Sequence, residues 1–202
     1  KLAADRLHKE KSAAAVVMDI HNGDVLVLSS VPGFDPNEFV MGLSSRSWRQ
    51  LVNDPYTPLI NKAISGLYAP GSTFKMIVAL AALEANIIGP DHKVFCRGHT
   101  QLGNARFHCW KRHGHGWQDM YDALKNSCDV YFYDIANRIG VDRIAEMAEK
   151  FGMGAKTGVD LPSEKGGVIP TRAWKKAVIG EAWQQGETLI SGIGQGFVLT
   201  TP

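Results

Sequence analysis

The sequence predicts an α/β domain that combines a β-hairpin, several helices and a cysteine-bearing loop. The hairpin is expected at residues 12–31, where Asn22-Gly23 separates two apolar, β-branched runs, because this dipeptide favours a two-residue turn. A helix is expected at residues 72–86, which contain good helix formers without Pro or Gly. An amphipathic helix is expected at residues 141–152, which end in Gly.

The composition is that of an ordinary globular protein. The chain has 202 residues, of which 45% are hydrophobic and 21% are charged, and this is enough for a sizeable core. A formal net charge of +2 is too small to indicate a nucleic-acid or anionic-membrane partner. No run reaches the roughly 18 apolar residues that a membrane span requires. We therefore expect a globular piece with no nucleic acid among its partners.

The second half of the chain is predicted to be mainly helical. Residues 92–118 show no clear period and are expected to form a loop. Asp119 is expected to cap a helix that ends at Gly140. The chain closes on Thr-Pro, a pair that is favoured at the start of a helix, so we expect an incomplete domain. Residues 119–202 would then form a helical lobe and the start of the remaining domain.

Ser72 and Lys75 form the first candidate site. Residues three apart share one face of a helix, so the Lys75 amine is expected to reach the Ser72 hydroxyl. A desolvated lysine can act as the base that activates a serine nucleophile. Ser is also a preferred N-cap, and the three-residue spacing alone leaves the capping interpretation open.

The segments around Ser72 resemble a known family. Residues 70–75, Pro-Gly-Ser-Thr-Phe-Lys, match the Pro-Gly-Ser-x-x-Lys motif of penicillin-binding transpeptidases. "AAAVVMDIHNGDVLVLSSVPGFDPN" resembles the hairpin that opens their catalytic domain, and "ISGIGQGFVLTTP" resembles a later signature. "HGHGWQDMYDALKNSCDVYFYDIANRIG" is most like the elongation-specific members of class B. The resemblance covers nearly the whole chain.

The resemblance implies a fold and a set of catalytic residues. The fold would be the penicillin-binding and β-lactamase-like one, a mainly antiparallel sheet flanked by helices. Ser72 would be the nucleophile and Lys75 its general base. Ser127-Cys128-Asp129 lies at the family's Ser-x-Asn motif, in which Ser127 would relay protons. Asp129 stands where Asn is commoner, which puts the usual amide contact with substrate in doubt.

The family's third motif, Lys-Thr/Ser-Gly on a strand, has a literal match at Lys156-Thr157-Gly158. This match is surrounded by Gly and followed by Pro, without the alternation of a strand, and we interpret it as a loop. The functional third motif is then expected beyond Pro202.

The resemblance also implies an activity. The chain would belong to a peptidoglycan D,D-transpeptidase that cross-links D-Ala-D-Ala stem peptides during cell elongation and is acylated by β-lactams. Its partners would include a membrane glycan polymerase and the elongation machinery. Its location would be the periplasmic domain of a protein anchored in the inner membrane. The alternatives are a D,D-carboxypeptidase or β-lactamase, or a non-catalytic penicillin-binding sensor or scaffold.

The cysteines and one histidine form a second candidate site. Cys96, Cys109 and Cys128 with His115 would provide three thiolates and an imidazole, a closed tetrahedral set suited to structural Zn²⁺. Buried free thiols, or one disulfide with one free thiol, remain alternatives. Metal sites in this loop also occur in members of the family.

The choice of histidine rests on its neighbours. His115 lies between two glycines, and "GHG" is the family match, so it is favoured over His113, His108 and His99. The sequence leaves the choice among the four open.

Overall fold

The computed structural model describes residues 2–202, which divide into two compact units. The first unit comprises residues up to 68 together with 158–165 and 201–202. The second unit comprises residues 69–157 and 166–200. Every strand pairing among the described residues is antiparallel.

The first unit contains a hairpin and short helices. Its elements are α1 (Leu2–Leu7), β1 (Ala13–Met18), β2 (Val25–Val31), α2 (Pro36–Met41), α3 (Ser45–Asn53) and α4 (Lys62–Ser65).

The turn of the hairpin is longer than the sequence predicts. Met18 pairs with Val25, so residues 19–24 separate the strands, and the expected two-residue turn at Asn22-Gly23 is wrong. Two side chains explain the longer turn. Asp19 accepts a hydrogen bond from the His21 N–H at 2.8 Å, and Asn22 accepts one from the Asp24 N–H at 2.9 Å. These local bonds satisfy backbone donors that would otherwise pair across a tighter turn.

The second unit contains a 3₁₀ turn, four strands and six helices. Its elements are the 3₁₀ turn (Gly71–Phe74), α5 (Lys75–Glu84), β3 (Val94–Cys96), β4 (His99–Leu102), β5 (Ala105–His108), β6 (Gly116–Gln118), α6 (Met120–Lys125), α7 (Asp129–Ile139), α8 (Val141–Lys150), α9 (Arg172–Val178) and α10 (Gln185–Ser191). Strand β3 pairs with β6, and β4 pairs with β5.

Helix α5 lies in the core of the second unit, where it packs against α7 and α8. The span 72–86 predicted for this helix is too long at both ends. Its first residues form the 3₁₀ turn, and α5 ends at Glu84. Asn86 then has a φ of +51°, a left-handed conformation that stops the helix before Gly89 is reached.

The single helix predicted between Asp119 and Gly140 is wrong, because the segment forms α6 and α7 with a break between them. Asp119 caps α6 by accepting a hydrogen bond from the Asp122 N–H at 2.9 Å, and α7 ends at Gly140. At the break Ser127 has a φ of +50°. Helix α8 follows at once and occupies most of the helical span predicted for residues 141–152.

Residues 92–118 contain β3 to β6, so the loop predicted there is wrong in part. Each of these strands has three or four residues, which is too short to show a clear alternation of apolar and polar positions. Gly114 allows the segment to fold back on itself. It has a φ of +78°, and a Cβ at this position would lie 2.1 Å from the Cys96 carbonyl oxygen.

Candidate active site and cysteine cluster

Ser72 lies in the 3₁₀ turn that precedes α5. Its hydroxyl accepts a hydrogen bond from the Ser127 hydroxyl, with the two oxygens 2.9 Å apart. The interpretation of Ser72 as an N-cap is wrong, since the cap position of the turn is Pro70 and no side chain caps it. The Ser72 side chain is therefore directed at another side chain rather than at its own backbone.

Lys75 is the first residue of α5 and is only 1% exposed. Its ammonium group donates to the Ser127 hydroxyl and to the Ser127 carbonyl, both at 3.0 Å. It also forms an ion pair of 2.6 Å with Asp129 Oδ1. Among the contacts of residues 2–202, no hydrogen bond joins Lys75 directly to Ser72, in contrast to the expectation from their spacing. Ser127 connects the two.

Ser127 has an unusual backbone conformation. A φ of +50° is uncommon for a residue with a side chain, and such residues cluster at functional sites where surrounding contacts hold them. Two backbone bonds hold this one, from the Ser127 N–H to Leu124 O at 3.2 Å and from the Cys128 N–H to Ala123 O at 2.9 Å. The break between α6 and α7 thus turns the Ser127 hydroxyl toward Ser72.

Asp129 is the first residue of α7, where the helix dipole favours a negative charge. One carboxylate oxygen contacts Lys75, and the other accepts a hydrogen bond from the Trp110 N–H at 3.0 Å. Asn, which is commoner at this position of the motif, would provide no counter-charge for the buried lysine. The departure from the motif therefore changes the electrostatics of the lysine.

Gly194 supports the turn that carries Ser72. The Gly71 N–H donates to the Gly194 carbonyl at 2.9 Å. Gly194 has a φ of +67°, and a Cβ there would lie 2.3 Å from the Gly71 carbonyl oxygen. Only glycine allows this approach. The resemblance of "ISGIGQGFVLTTP" to a family signature marks this segment, but the contact with Gly71 joins residues distant in sequence and has no local signal.

Lys156, Thr157 and Gly158 lie in irregular backbone, and no strand of the described chain includes them. This agrees with the interpretation of the Lys-Thr-Gly match as a loop.

The structure brings together all four residues of the predicted zinc site. One ligand atom from each of Cys96, Cys109, His115 and Cys128 lies within 4.8 Å of every other. The His115 Nδ1 atom is 3.6 Å from both Cys96 Sγ and Cys109 Sγ. Zinc bonds of about 2.3 Å to sulfur and about 2.1 Å to nitrogen place tetrahedral S and N ligands about 3.6 Å apart. The donor set and its spacing therefore fit zinc.

The surroundings of the Cys109 sulfur favour its thiolate form. A hydrogen bond from the Cys128 thiol lowers the pKa of Cys109 to about 5, and N–H groups of Lys111, Asp129 and Val130 add to this effect. The same bond and burial raise the pKa of Cys128 well above its usual value. Two of the N–H donors belong to the first turn of α7, so a helix N-terminus faces the Cys109 sulfur.

The structure also shows whether the cysteines form disulfides and which histidine lies with them. All three cysteines are free and buried. His115 is the histidine that joins them, whereas His99 and His108 lie opposite each other on β4 and β5. The His115 Nδ1 atom is the ring nitrogen that lies near the sulfur atoms, and the Nε2 atom is buried without a hydrogen-bond partner in the protein.

A family assignment follows from comparison with known proteins. The family model of the penicillin-binding protein transpeptidase domain matches residues 13–202. Because this match spans most of the sequence, the chain belongs to that family.

One curated protein and two solved structures illustrate what this chain is similar to. The chain is 45% identical over 192 residues to the peptidoglycan D,D-transpeptidase MrdA of Escherichia coli K12, covering 94% of this chain and 30% of that protein. The crystal structure of Pseudomonas aeruginosa PBP2 in complex with WCK 5153 has a TM-score of 0.90 and 40% identity, covering 99% of this chain and 44% of that one. Helicobacter pylori PBP2 in complex with MreC has a TM-score of 0.93 and 38% identity, covering 98% of this chain and 37% of that one.

The chain thus spans about a third of the length of the curated relative. Within residues 2–202, none of the helices combines the length and the apolar character needed to cross a bilayer.

Proposed function

We propose that this chain carries the nucleophile and proton relay of a peptidoglycan D,D-transpeptidase. The observation that carries the proposal is the hydrogen-bonded series Ser72–Ser127–Lys75, with links of 2.9 and 3.0 Å. A serine nucleophile needs a path for its proton, and this series provides one. Membership of the transpeptidase family and similarity to MrdA support the choice of reaction.

The chemistry consists of two acyl transfers. Lys75 enters the first step as the free amine after one ammonium proton has passed to Asp129 across their 2.6 Å ion pair. Ser72 Oγ then forms a bond to the penultimate D-Ala carbonyl carbon, while its proton passes to Ser127 and the Ser127 proton passes to Lys75. When the peptide bond breaks, the proton returns through Ser127 to the amine of the departing D-Ala. The amine of a second stem peptide then attacks the ester, loses its proton along the same path, and restores Ser72.

The proposal extends to substrates and partners. The donor is a stem peptide that ends in D-Ala-D-Ala, and β-lactams acylate the same Ser72. The intact protein is proposed to act as a periplasmic domain anchored in the inner membrane, together with a glycan polymerase and other proteins of cell elongation. The complex of Helicobacter pylori PBP2 with MreC supports partners of this kind.

An assay with a synthetic donor peptide tests the reaction. The intact protein is incubated with a pentapeptide ending in D-Ala-D-Ala and an amine acceptor, and the products are identified by mass. We expect release of D-Ala and a new amide bond to the acceptor. A matched donor ending in D-Ala-L-Ala is the control and should stay intact. Hydrolysis without transfer would favour a carboxypeptidase, and no D-Ala release would favour a sensor or scaffold.

A second proposal concerns Zn²⁺, held by Cys96, Cys109, His115 and Cys128. It is supported by the four ligand atoms within 4.8 Å of one another. Such a closed set with no position for substrate would provide structural cross-linking rather than chemistry. Elemental analysis of the intact protein should find about one zinc per chain. Metal-free protein with a disulfide between two of the cysteines would contradict the proposal.

A further inference from the structure

Trp110 donates hydrogen bonds to residues 126–129 from both its backbone and its side chain. Its backbone N–H donates to Asp129 Oδ2 at 3.0 Å. Its indole Nε1–H donates to the carbonyl oxygens of Asn126 and Ser127, each at 3.1 Å. The side chain is nevertheless 65% exposed. The ring packs edge-on against His115, with ring centroids 5.3 Å apart, and its N–H group is the part that reaches residues 126 and 127.

One of these acceptors lies on Ser127 of the proton relay, and another lies on Asp129, which pairs with the relay lysine. The Ser127 carbonyl oxygen is shared by the Trp110 indole and the Lys75 ammonium group, which is 3.0 Å away. Ser127 is in a left-handed conformation that persists only when neighbouring groups restrain it. The indole is one of these restraints, and it acts on the peptide group that aims the Ser127 hydroxyl at Ser72.

We infer that Trp110 is a positioning residue for acyl transfer: its two N–H groups hold Ser127 and Asp129 in the arrangement that joins Ser72 to Lys75. The inference rests on the proposed function, because it assigns Trp110 an effect on the same relay. Trp110 touches neither Ser72 nor Lys75 by any hydrogen bond of the described chain. Its effect is therefore on the orientation of the relay rather than on the reacting atoms.

The chain offers a matched control at Trp117. This residue is also 65% exposed and lies in the same part of the sequence, after Cys109 and before α6. Its ring packs edge-on against Phe95, with ring centroids 5.4 Å apart, rather than against the Ser127 motif. Trp110 and Trp117 thus differ mainly in what their rings contact.

The test compares Trp110→Phe with Trp117→Phe in the intact protein. A fluorescent penicillin is added, and both the rate of acylation and the final fraction of labelled protein are measured. We expect Trp110→Phe to slow the rate by about tenfold, the effect of one well-placed hydrogen bond. The labelled fraction and the midpoint of thermal unfolding should remain those of the unsubstituted protein. Trp117→Phe should label at the unsubstituted rate.

A second variant distinguishes the effect of the indole N–H from the effect of the ring shape. Replacing Trp110 by benzothienylalanine keeps the bicyclic ring and removes its N–H donor, and the same slowing is expected. Acylation of this variant and of Trp110→Phe at the unsubstituted rate would overturn the inference. A decrease in both the labelled fraction and the midpoint of thermal unfolding would also overturn the inference, because loss of a purely structural residue lowers both. Absence of labelling in the unsubstituted protein would instead refute the proposed function.

Discussion

The Ser72–Lys75 site and the cysteine cluster differ in the secondary structure that carries their residues. Ser72 lies in the 3₁₀ turn before α5, and Lys75 begins α5, a helix packed in the core of the second unit. The cysteine cluster draws most of its residues from the segment 92–118, whose strands have three or four residues and whose aromatic side chains are largely exposed. The first site is supported by helix packing. The three cysteines belong to the same buried core, and bound metal would add stability to the short strands around them.

The two regions meet within three consecutive residues. Ser127 connects Ser72 to Lys75, Cys128 joins the cysteine cluster, and Asp129 pairs with Lys75. Cys128 therefore belongs to the cysteine cluster and also lies between two residues that contact Lys75. The comparison indicates that Ser72 and Lys75 should control chemistry and that the cysteines should control stability. Substitutions in residues 127–129 should affect both.

The largest effect on chemistry is expected from Lys75→Met, which keeps the length of the side chain and removes its amine. Loss of the proton acceptor should slow acylation by about a thousandfold, within the range of general base catalysis. Labelling with a fluorescent penicillin measures this rate in the intact protein. Lys150→Met is the control, because Lys150 is an exposed lysine paired with Glu84. Equal rates for the two variants would remove Lys75 from the mechanism.

The largest effect on stability is expected from Cys109→Ser. Loss of one of four ligands should abolish zinc binding and remove several kcal/mol of folding free energy, since metal binding at such sites is coupled to folding. Zinc content and the midpoint of thermal unfolding should fall together. His113→Ala is the matched control: the residue is a near neighbour of His115 but is absent from the cluster. Unchanged melting of a metal-free Cys109→Ser variant would contradict the zinc proposal.

A smaller effect is expected from Asp129→Ala. The substitution leaves the Lys75 ammonium group buried without its counter-charge, which costs about 3 kcal/mol. The midpoint of thermal unfolding should fall by about 6 °C or more, and acylation should also slow. Asp134→Ala provides the comparison, because the Asp134 ion pairs with His92 and Arg138 are more exposed and should be worth under about 1 kcal/mol. Equal destabilisation by the two substitutions would show that burial of the Lys75 pair is unimportant.

How well the sequence predicts each region depends on how local its contacts are. Ser72 and Lys75 are three residues apart, a spacing that indicates a shared helix face but leaves an N-cap open as an alternative. The resemblance to the penicillin-binding transpeptidases favours the nucleophile, and it also points to Ser127 as the proton relay. The break at Ser127 has a local signal, because residues 126–129 are Asn-Ser-Cys-Asp, a run of weak helix formers. The contacts of Ser127 with Ser72 and Lys75 have no local signal, since these residues are more than 50 positions away. The cysteine cluster was found from residue type rather than from spacing.

The residues that the sequence did not reveal act through distant contacts. Trp110 hydrogen-bonds to residues 16 and 17 positions away, and Gly194 contacts Gly71 across more than half of the chain. Neither contact leaves a local pattern of the kind that identifies a helix or a cap. The prediction of the hairpin turn is wrong for the opposite reason. Asp19 and Asn22 make local hydrogen bonds that override the usual preference of Asn-Gly for a two-residue turn.

The central claim is that Ser72 is the residue that becomes acylated. Intact-mass spectrometry after treatment with a β-lactam tests it most directly, with the intact protein and its Ser72→Ala variant side by side. The account predicts an increase by the mass of one β-lactam in the unsubstituted protein and no increase in Ser72→Ala. An adduct that persists in Ser72→Ala, or one that maps to another residue, would contradict it.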